Sequence, residues 1–451
     1  MTMMKKILLS LLVVSPVLPL ASQPDSSVKQ TLEEKVEVLP GGAVSPKEPA
    51  KTSGPELTWA DCVREALANN PGLKAKKLAI DQYKYLKLAG YNAYLPKISM
   101  SHSVSRSGGE KVSPSNRWGL SVSASEPIFD LGAMSSIRSG RISYDKSLSD
   151  YRIESASLRQ SLNSAFMNLI VAQEQVRVNE RILDIRQQNA KLIKLKYDSG
   201  MESRGNMLYA AALADRAKSD AQQAARSLNT SRRELLKNMG VSAYRPLTAK
   251  GEITVPEYEF NSASVKEALE RTPQILSQEK SVESQKERLL SAQYDLFPTL
   301  NANGSMSWSG PQEFDVTRSW SMGLSLSLPL LSGGLTYYPY STKAAKLALK
   351  SAEASLADLK LSLENNILSG YDNFLNSRDT AVANVNVLKA NEERYKESQI
   401  KYMAGQISFI DLETVEQSMV DAQQNQLQYL RNANNGKASL ENLLGVGLEE
   451  K

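Results

Sequence analysis

Histidine and cysteine are all but missing: the 451 residues hold one of each, His102 and Cys62. So small a supply argues against histidine acid–base chemistry, cysteine nucleophiles and His/Cys metal sites, and a single cysteine cannot form an internal disulfide. Excess charge is lacking too. The formal net charge of +5 gives no reason to expect nucleic acid as a partner. Neither a glycine-rich phosphate loop nor a metal-spaced cluster occurs. Acidic pairs such as Glu392-Glu393 lie in heavily charged helical stretches and read as solvated faces, so no enzyme and no cofactor are expected. No apolar run is long enough for a membrane-spanning helix. If such a chain lives in a membrane, it must do so through strands.

At the N-terminus, Lys5 and Lys6 precede an apolar run from Ile7 to Leu20, interrupted by Ser10, Ser15, Pro16 and Pro19 and followed by Ala21 and Ser22. A basic start, a short apolar centre and a small-residue end predict a secretory signal peptide over 1–22. The run is too short for a membrane anchor. Residues 23–56 are rich in Pro, Ser, Lys, Glu and Gly without an apolar period, and read as a flexible extension.

The remainder is a duplication. Ala66-Leu67, Pro71, Pro96, Pro127 and Gly132 recur as Ala268-Leu269, Pro273, Pro298, Pro329 and Gly334, each 202 positions on. Tyr197, Gly200, Ser203, Ala217 and Gly240-Val241 recur 205 positions on as Tyr402, Gly405, Ser408, Ala422 and Gly445-Val446. A three-residue insertion near 337–341 accounts for the change of register. The predicted units are repeats over 57–246 and 262–446, a linker over 247–261 and a tail over 447–451.

Each repeat predicts a helix, two strands, a long helix, a sharp turn and a second long helix. Leu158, Leu162, Ala165, Leu169, Ala172, Val176 and Leu183 alternate steps of four and three or their sums, a coiled-coil seam. Leu356, Leu359, Leu363, Phe374, Ala381, Val385 and Leu388 fit a matching seam. The first long helix, roughly 133–198, would be about 100 Å long at about 1.5 Å per residue. Such a rod must pack along others. Gly200 and Gly405 stand where the long helices stop.

Four stretches alternate with period two: 98–105, 118–125, 300–308 and 320–328. One face is apolar and the other is nearly all Ser, Asn and Gly, with Trp118, Trp308 and Trp320 at the stretch ends. An amphipathic sheet over a soluble core would read this way. So would a membrane β-barrel with a small-polar lumen and tryptophans at the lipid interface. His102, on the apolar face, fits a rim position. Four strands cannot close a barrel, and open edges are not tolerated in lipid, so the barrel reading requires several chains.

The duplicated pattern resembles the TolC family of outer-membrane efflux proteins. Its residues are Tyr402-Met403-Ala404-Gly405-Gln406-Ile407-Ser408 with Asp411-Leu412 and Ala422, and the strand-to-helix joints 127–132 and 329–334. The resemblance implies a mainly α fold with membrane β: a homotrimer whose four strands per chain share a twelve-stranded barrel in outer-membrane lipid, continued by a helical tunnel through the periplasm. It implies that the tips at Gly200, Met201, Gly405 and Gln406 meet a periplasmic adaptor, driven by an inner-membrane RND or ABC transporter, to export small molecules or, alternatively, protein by type I secretion. A soluble periplasmic scaffold or adaptor is the remaining alternative. It would not need the serine-faced strands, and an adaptor would need compact β domains. By resemblance, Asp411 matches a pore-ring carboxylate, and Tyr402 a gate tyrosine. A second ring acid falls on Thr414, the tyrosine's acidic partner on Asn206 and a nearby arginine on Ile407, where this chain departs from the pattern. Asp411 also fits a solvated carboxylate at a helix N-terminus.

Overall fold

A computed structural model describes residues 54–260, 265–312, 316–329 and 333–449. The expected leader, nearly all of the extension, and residues 330–332 of the second joint lie outside the described residues.

The first half contains β1 (Glu56–Leu57), α1 (Trp59–Asn69), α2 (Pro71–Gly90), β2 (Lys97–Gly109), β3 (Val112–Phe129), α3 (Leu131–Asp198) and α4 (Arg204–Met239). The second repeats that order with β4 (Thr248–Ala249), α5 (Val265–Glu270), α6 (Pro273–Tyr294), β5 (Thr299–Gly310), β6 (Thr317–Ser327), α7 (Tyr337–Met403) and α8 (Phe409–Leu443). The mainly helical, duplicated architecture expected from the sequence is what the chain adopts. Among the described residues, no helix is long and apolar enough to cross a membrane.

Long helices of this kind hold together only through their seams. In α8 the buried Leu412, Glu416, Met419, Gln423, Gln426, Leu430 and Ala433 alternate steps of four and three. In α7 the buried Ile367, Phe374, Ala381, Tyr395 and Tyr402 are spaced by multiples of seven. In α4, Ala210, Ala217 and Ala224 do the same with small side chains. A seven-residue repeat keeps its contacts only if the helices wind left-handedly around each other.

The predicted seams hold over Leu158, Leu162, Ala165, Leu169 and Ala172, all buried, and need correction further down. Leu183 is only half-buried, and the buried line instead runs through Ile182, Arg186, Asn189 and Ile193. Val385 is 47% exposed, while its neighbour Asn384 is buried. Asn384 takes the place because it donates to Gln426 Oε1 at 2.8 Å and to the Ala422 carbonyl at 3.3 Å; a buried amide with its partners made carries little penalty.

The four long strands form one antiparallel sheet in the order β2-β3-β5-β6. Residue pairs such as Ser101 with Ser121 and Ser305 with Ser321 stand opposite each other. Their hydroxyls hydrogen-bond across the strands at 2.7 and 2.8 Å, as do Ser99 with Ser123 and Ser307 with Ser319, both at 2.7 Å. The opposite face carries Ile98, Met100, Val104, Leu120, Val122, Met306, Met322, Leu324 and Leu326, with Trp118, Trp308 and Trp320 in the same rows. The sequence places the tryptophans at the ends of the strands, and here it needs correction, since each strand runs on past its tryptophan. The ladder runs on past Trp118 through Arg106 with Asn116 and Ser107 with Ser115, because polar residues outside an apolar band can still pair backbone to backbone. The sheet places its two faces, polar and apolar, on opposite sides; the long helices lead from it to two tips, one between α3 and α4 and one between α7 and α8.

Phe374, fully buried, packs edge-on to Tyr258 with centroids 6.4 Å apart. Phe374→Ala should cost about 3–5 kcal/mol, read as a lowered denaturant midpoint of the detergent-solubilised protein.

Candidate functional site

The two helical tips are built alike. After α3, Gly200 adopts φ 74°; its N–H donates to the Tyr197 carbonyl at 2.9 Å, and Met201 N–H donates to Lys196 O at 2.8 Å. After α7, Gly405 adopts φ 73°, with Gly405 N–H to Tyr402 O at 3.1 Å and Gln406 N–H to Lys401 O at 2.9 Å. This pair of bonds satisfies the last carbonyls of each helix, and its left-handed residue is cheap only for glycine. Ser203 and Ser408 then start the return helices, accepting from the N–H of Asn206 and of Asp411, the ordinary N-cap bond. Met201 and Gln406 stand exposed in the turns.

The tips are tied together. Tyr402, 2% exposed, donates its hydroxyl to Glu202 Oε2 at 2.9 Å. Asn206 Nδ2 donates to Glu202 Oε1 at 2.8 Å. From α3, the Lys196 ammonium lies 3.8 Å from the centre of the Tyr402 ring and donates to the Tyr402 carbonyl at 3.0 Å. Partial burial disfavours the charged form of Glu202, but the bonds from Asn206, the Ser203 N–H and Tyr402, together with Lys196, outweigh it and hold the carboxyl below its usual range. Burial, the bond to Glu202 and the charge of Glu202 push the Tyr402 phenol up.

The predicted site residues are therefore only partly assembled. Tyr402 and Asn206 meet, through a carboxylate that the sequence reading missed. Glu202 sits four residues before the position where an acid was sought, in the turn that precedes α4. Thr414 lies apart: exposed, it donates to the Ile410 carbonyl at 2.8 Å. Asp411 is exposed and caps its own helix, accepting from Ser408 Oγ at 2.7 Å and Ser408 N–H at 3.0 Å. Those bonds lower its carboxyl below the usual range, so it is anionic at neutral pH.

A second tie, also missed, lies along the same helices. Glu416 of α8 is 2% exposed and meets Arg186 of α3, whose Nε lies 2.6 Å from its Oε1. Asn189 donates to the other oxygen of Glu416 and to Tyr395 Oη, and Arg186 donates to Gln417 Oε1 at 3.0 Å. Burial pushes the Glu416 carboxyl up against the opposing pull of Arg186 and Asn189.

Among the described residues no group of His, Cys, Asp or Glu could hold a metal ion. Burial first, then the charges of Glu65 and Asp61, push the Cys62 thiol up to about 12, far from a thiolate at neutral pH.

A family model described as outer membrane efflux protein matches residues 62–241 and 264–446. The chain belongs to the outer membrane efflux protein family. It is thus a TolC-family exit duct of the outer membrane, with its helices in the periplasm. The family is one of channels and not of enzymes. Among solved structures, the open state of the MtrE outer-membrane channel of Neisseria gonorrhoeae is similar at 20% identity with a TM-score of 0.76, over 96% of this chain and 99% of that one. The outer-membrane channel OprN is similar at 18% identity and TM-score 0.75, over 86% and 90%. The CmeC outer-membrane channel of Campylobacter jejuni is similar at 16% identity and TM-score 0.74, over 87% of each. At these identities the likeness shows the fold. No curated protein sequence matches the chain.

Because Arg186 and Glu416 are both buried, Arg186→Met or Glu416→Met alone should cost about 3–5 kcal/mol by leaving an unpaired buried charge. The double variant should recover most of that loss, checked as a double-mutant cycle in denaturant midpoints.

Proposed function

We propose that three copies of the chain assemble into one duct, and that this efflux-family channel forms the exit of a tripartite pump for small molecules. The observation that supports assembly from several copies is the open sheet, and the number three is what the family resemblance implies. β2 and β6 each have one unpaired edge, while the face bearing Met322, Leu324 and Leu326 is more than 60% exposed at each of them. Lipid removes water from that face and forbids open edges. Pairing β6 of one copy with β2 of the next closes twelve strands around the hydroxyl face. Trp118, Trp308 and Trp320 then form an aromatic belt at the interface with outer-membrane lipid.

At the other end, the exposed turns at Gly200, Met201, Gly405 and Gln406 are the docking points for a periplasmic adaptor, coupled to an inner-membrane RND or ABC transporter. The Tyr402–Glu202 bond, steadied by Lys196 and Asn206, acts as the latch of the closed tip. Asp411, exposed near the tip, supplies the carboxylate ring that attracts cations to the entrance. Adaptor binding opens the duct through its higher affinity for the unlatched state. Thr414 lies outside the latch and is assigned no gating role.

A photo-cross-linker at Gln406 in cells should capture a periplasmic adaptor; capture of self alone, from a trimer in the outer membrane, would sink pump coupling. Glu202→Ala and Tyr402→Phe should each raise single-channel conductance in a planar bilayer. For Glu202 the sign follows from its depressed carboxyl. The latch is intact above the unstrained carboxylate value of about 4.3 and is lost as pH falls through the lower folded value, so conductance should rise in strong acid and Glu202→Ala should remove that rise. Asp411→Ala should reduce cation selectivity in the same bilayers, and an unchanged reversal potential would remove Asp411 from the ring.

A further inference from the structure

The hydroxyl face of the sheet carries charge of one sign. Its rows pair Ser105 with Arg117, Ser103 with Gly119, Ser101 with Ser121, Ser99 with Ser123 and Lys97 with Ser125. The neighbouring rows continue through Ser309, Ser307, Ser305 and Asn303, and then Thr317, Ser319, Ser321 and Gly323. Side-chain geometry agrees with this alternation, since a methyl group placed on Gly119 would come 2.9 Å from Ser103 Oγ. Among the described residues this face holds no Asp or Glu. It holds Lys97 at the helix end of β2 and Arg117 near the opposite end of β3. Both side chains are exposed, and neither makes an ion pair among the described residues. The nearest strand acid, Glu126, pairs with Ala302 on the apolar face. Arg117 stands beside Trp118, so it lies at the aromatic end of the strands.

We propose that the barrel half of the duct is a basic passage, in which Lys97 at its inner end and Arg117 at its mouth select anionic cargo; this rests on the trimeric barrel reading above. Closing the barrel turns each residue into a ring of three cations. Between the rings the wall is neutral, so nothing offsets their potential except water and salt. A confined water-filled channel between low-dielectric walls concentrates such a field and raises the local concentration of counter-ions. Acidic small molecules and the carboxylate- or phosphate-bearing ends of amphiphiles are the solutes such a passage favours. The duct is then of opposite character at its two ends: Asp411 near the tip, basic residues in the barrel.

The test uses purified full-length protein in planar bilayers, with ATP as the polyanion and spermine as the polycation, each added to one side at a time. ATP should block from the barrel side. Arg117→Gln combined with Lys97→Gln should raise the half-blocking concentration by about tenfold or more, as expected for the loss of two rings of charge. Arg117→Lys should retain the block. Channels that form normally but show the same ATP block in the Gln variants overturn the basic passage alone, as does stronger block by spermine than by ATP from the barrel side. Wild-type protein that forms no channels overturns the barrel reading, and this inference with it.

Discussion

Hydrocarbon offers no partner for a backbone N–H or C=O, and that single constraint governs most of this molecule. A sheet with free edges along β2 and β6 is incomplete wherever its apolar face meets lipid. The alternation within each strand follows from the same constraint: one side must suit lipid while the other lines water. The two halves of the chain serve it jointly, since each supplies two strands and neither could close a ring. Beyond the membrane the backbone is free to satisfy itself within helices, and the chain changes from shared strands to self-sufficient rods.

Rods bring a different requirement. A helix such as α3, Leu131–Asp198, has far more surface than one partner can cover, so its stability depends on continuous seams. The seam of α7 ends in Tyr402 itself, the same side chain that binds Glu202. The proposed latch thus coincides with the last buried layer of α7, so that under this reading separating the tips would unmake a seam from its end. Arg186 and Glu416 hold α3 to α8 by a buried charge pair that is costly to break singly. A wall fastened in this way resists gradual deformation and favours distinct arrangements.

The duplicated plan, the alternating strands and the tip glycines were all legible in the sequence, because each rests on local chemistry: period two, period seven, and a left-handed residue after a helix. Tyr402 was singled out as a gate residue by the family resemblance and not by any period. Its partner was not. Glu202 lies in a turn, where the facing of a side chain is set by the packing of two hairpins and not by any period. Arg186, Asn189 and Asn384 were missed because apolar periodicity counts polar residues as interruptions, whereas here they are seam members whose partners come from another helix. The neighbouring Leu183 and Val385 attracted the assignment because they look apolar, and they are left partly or largely exposed.

The serine rungs carry one more consequence. Each of four hydroxyl pairs, from Ser99 with Ser123 to Ser307 with Ser319, is bonded to itself across the strands. In each pair one hydroxyl gives its proton and the other keeps its own, so a rung offers one free donor where two separate serines would offer two. A face built of such rungs stays hydrophilic while presenting fewer free donors than its number of serines, so water can wet it although half of these paired hydroxyl protons are already spent within the sheet.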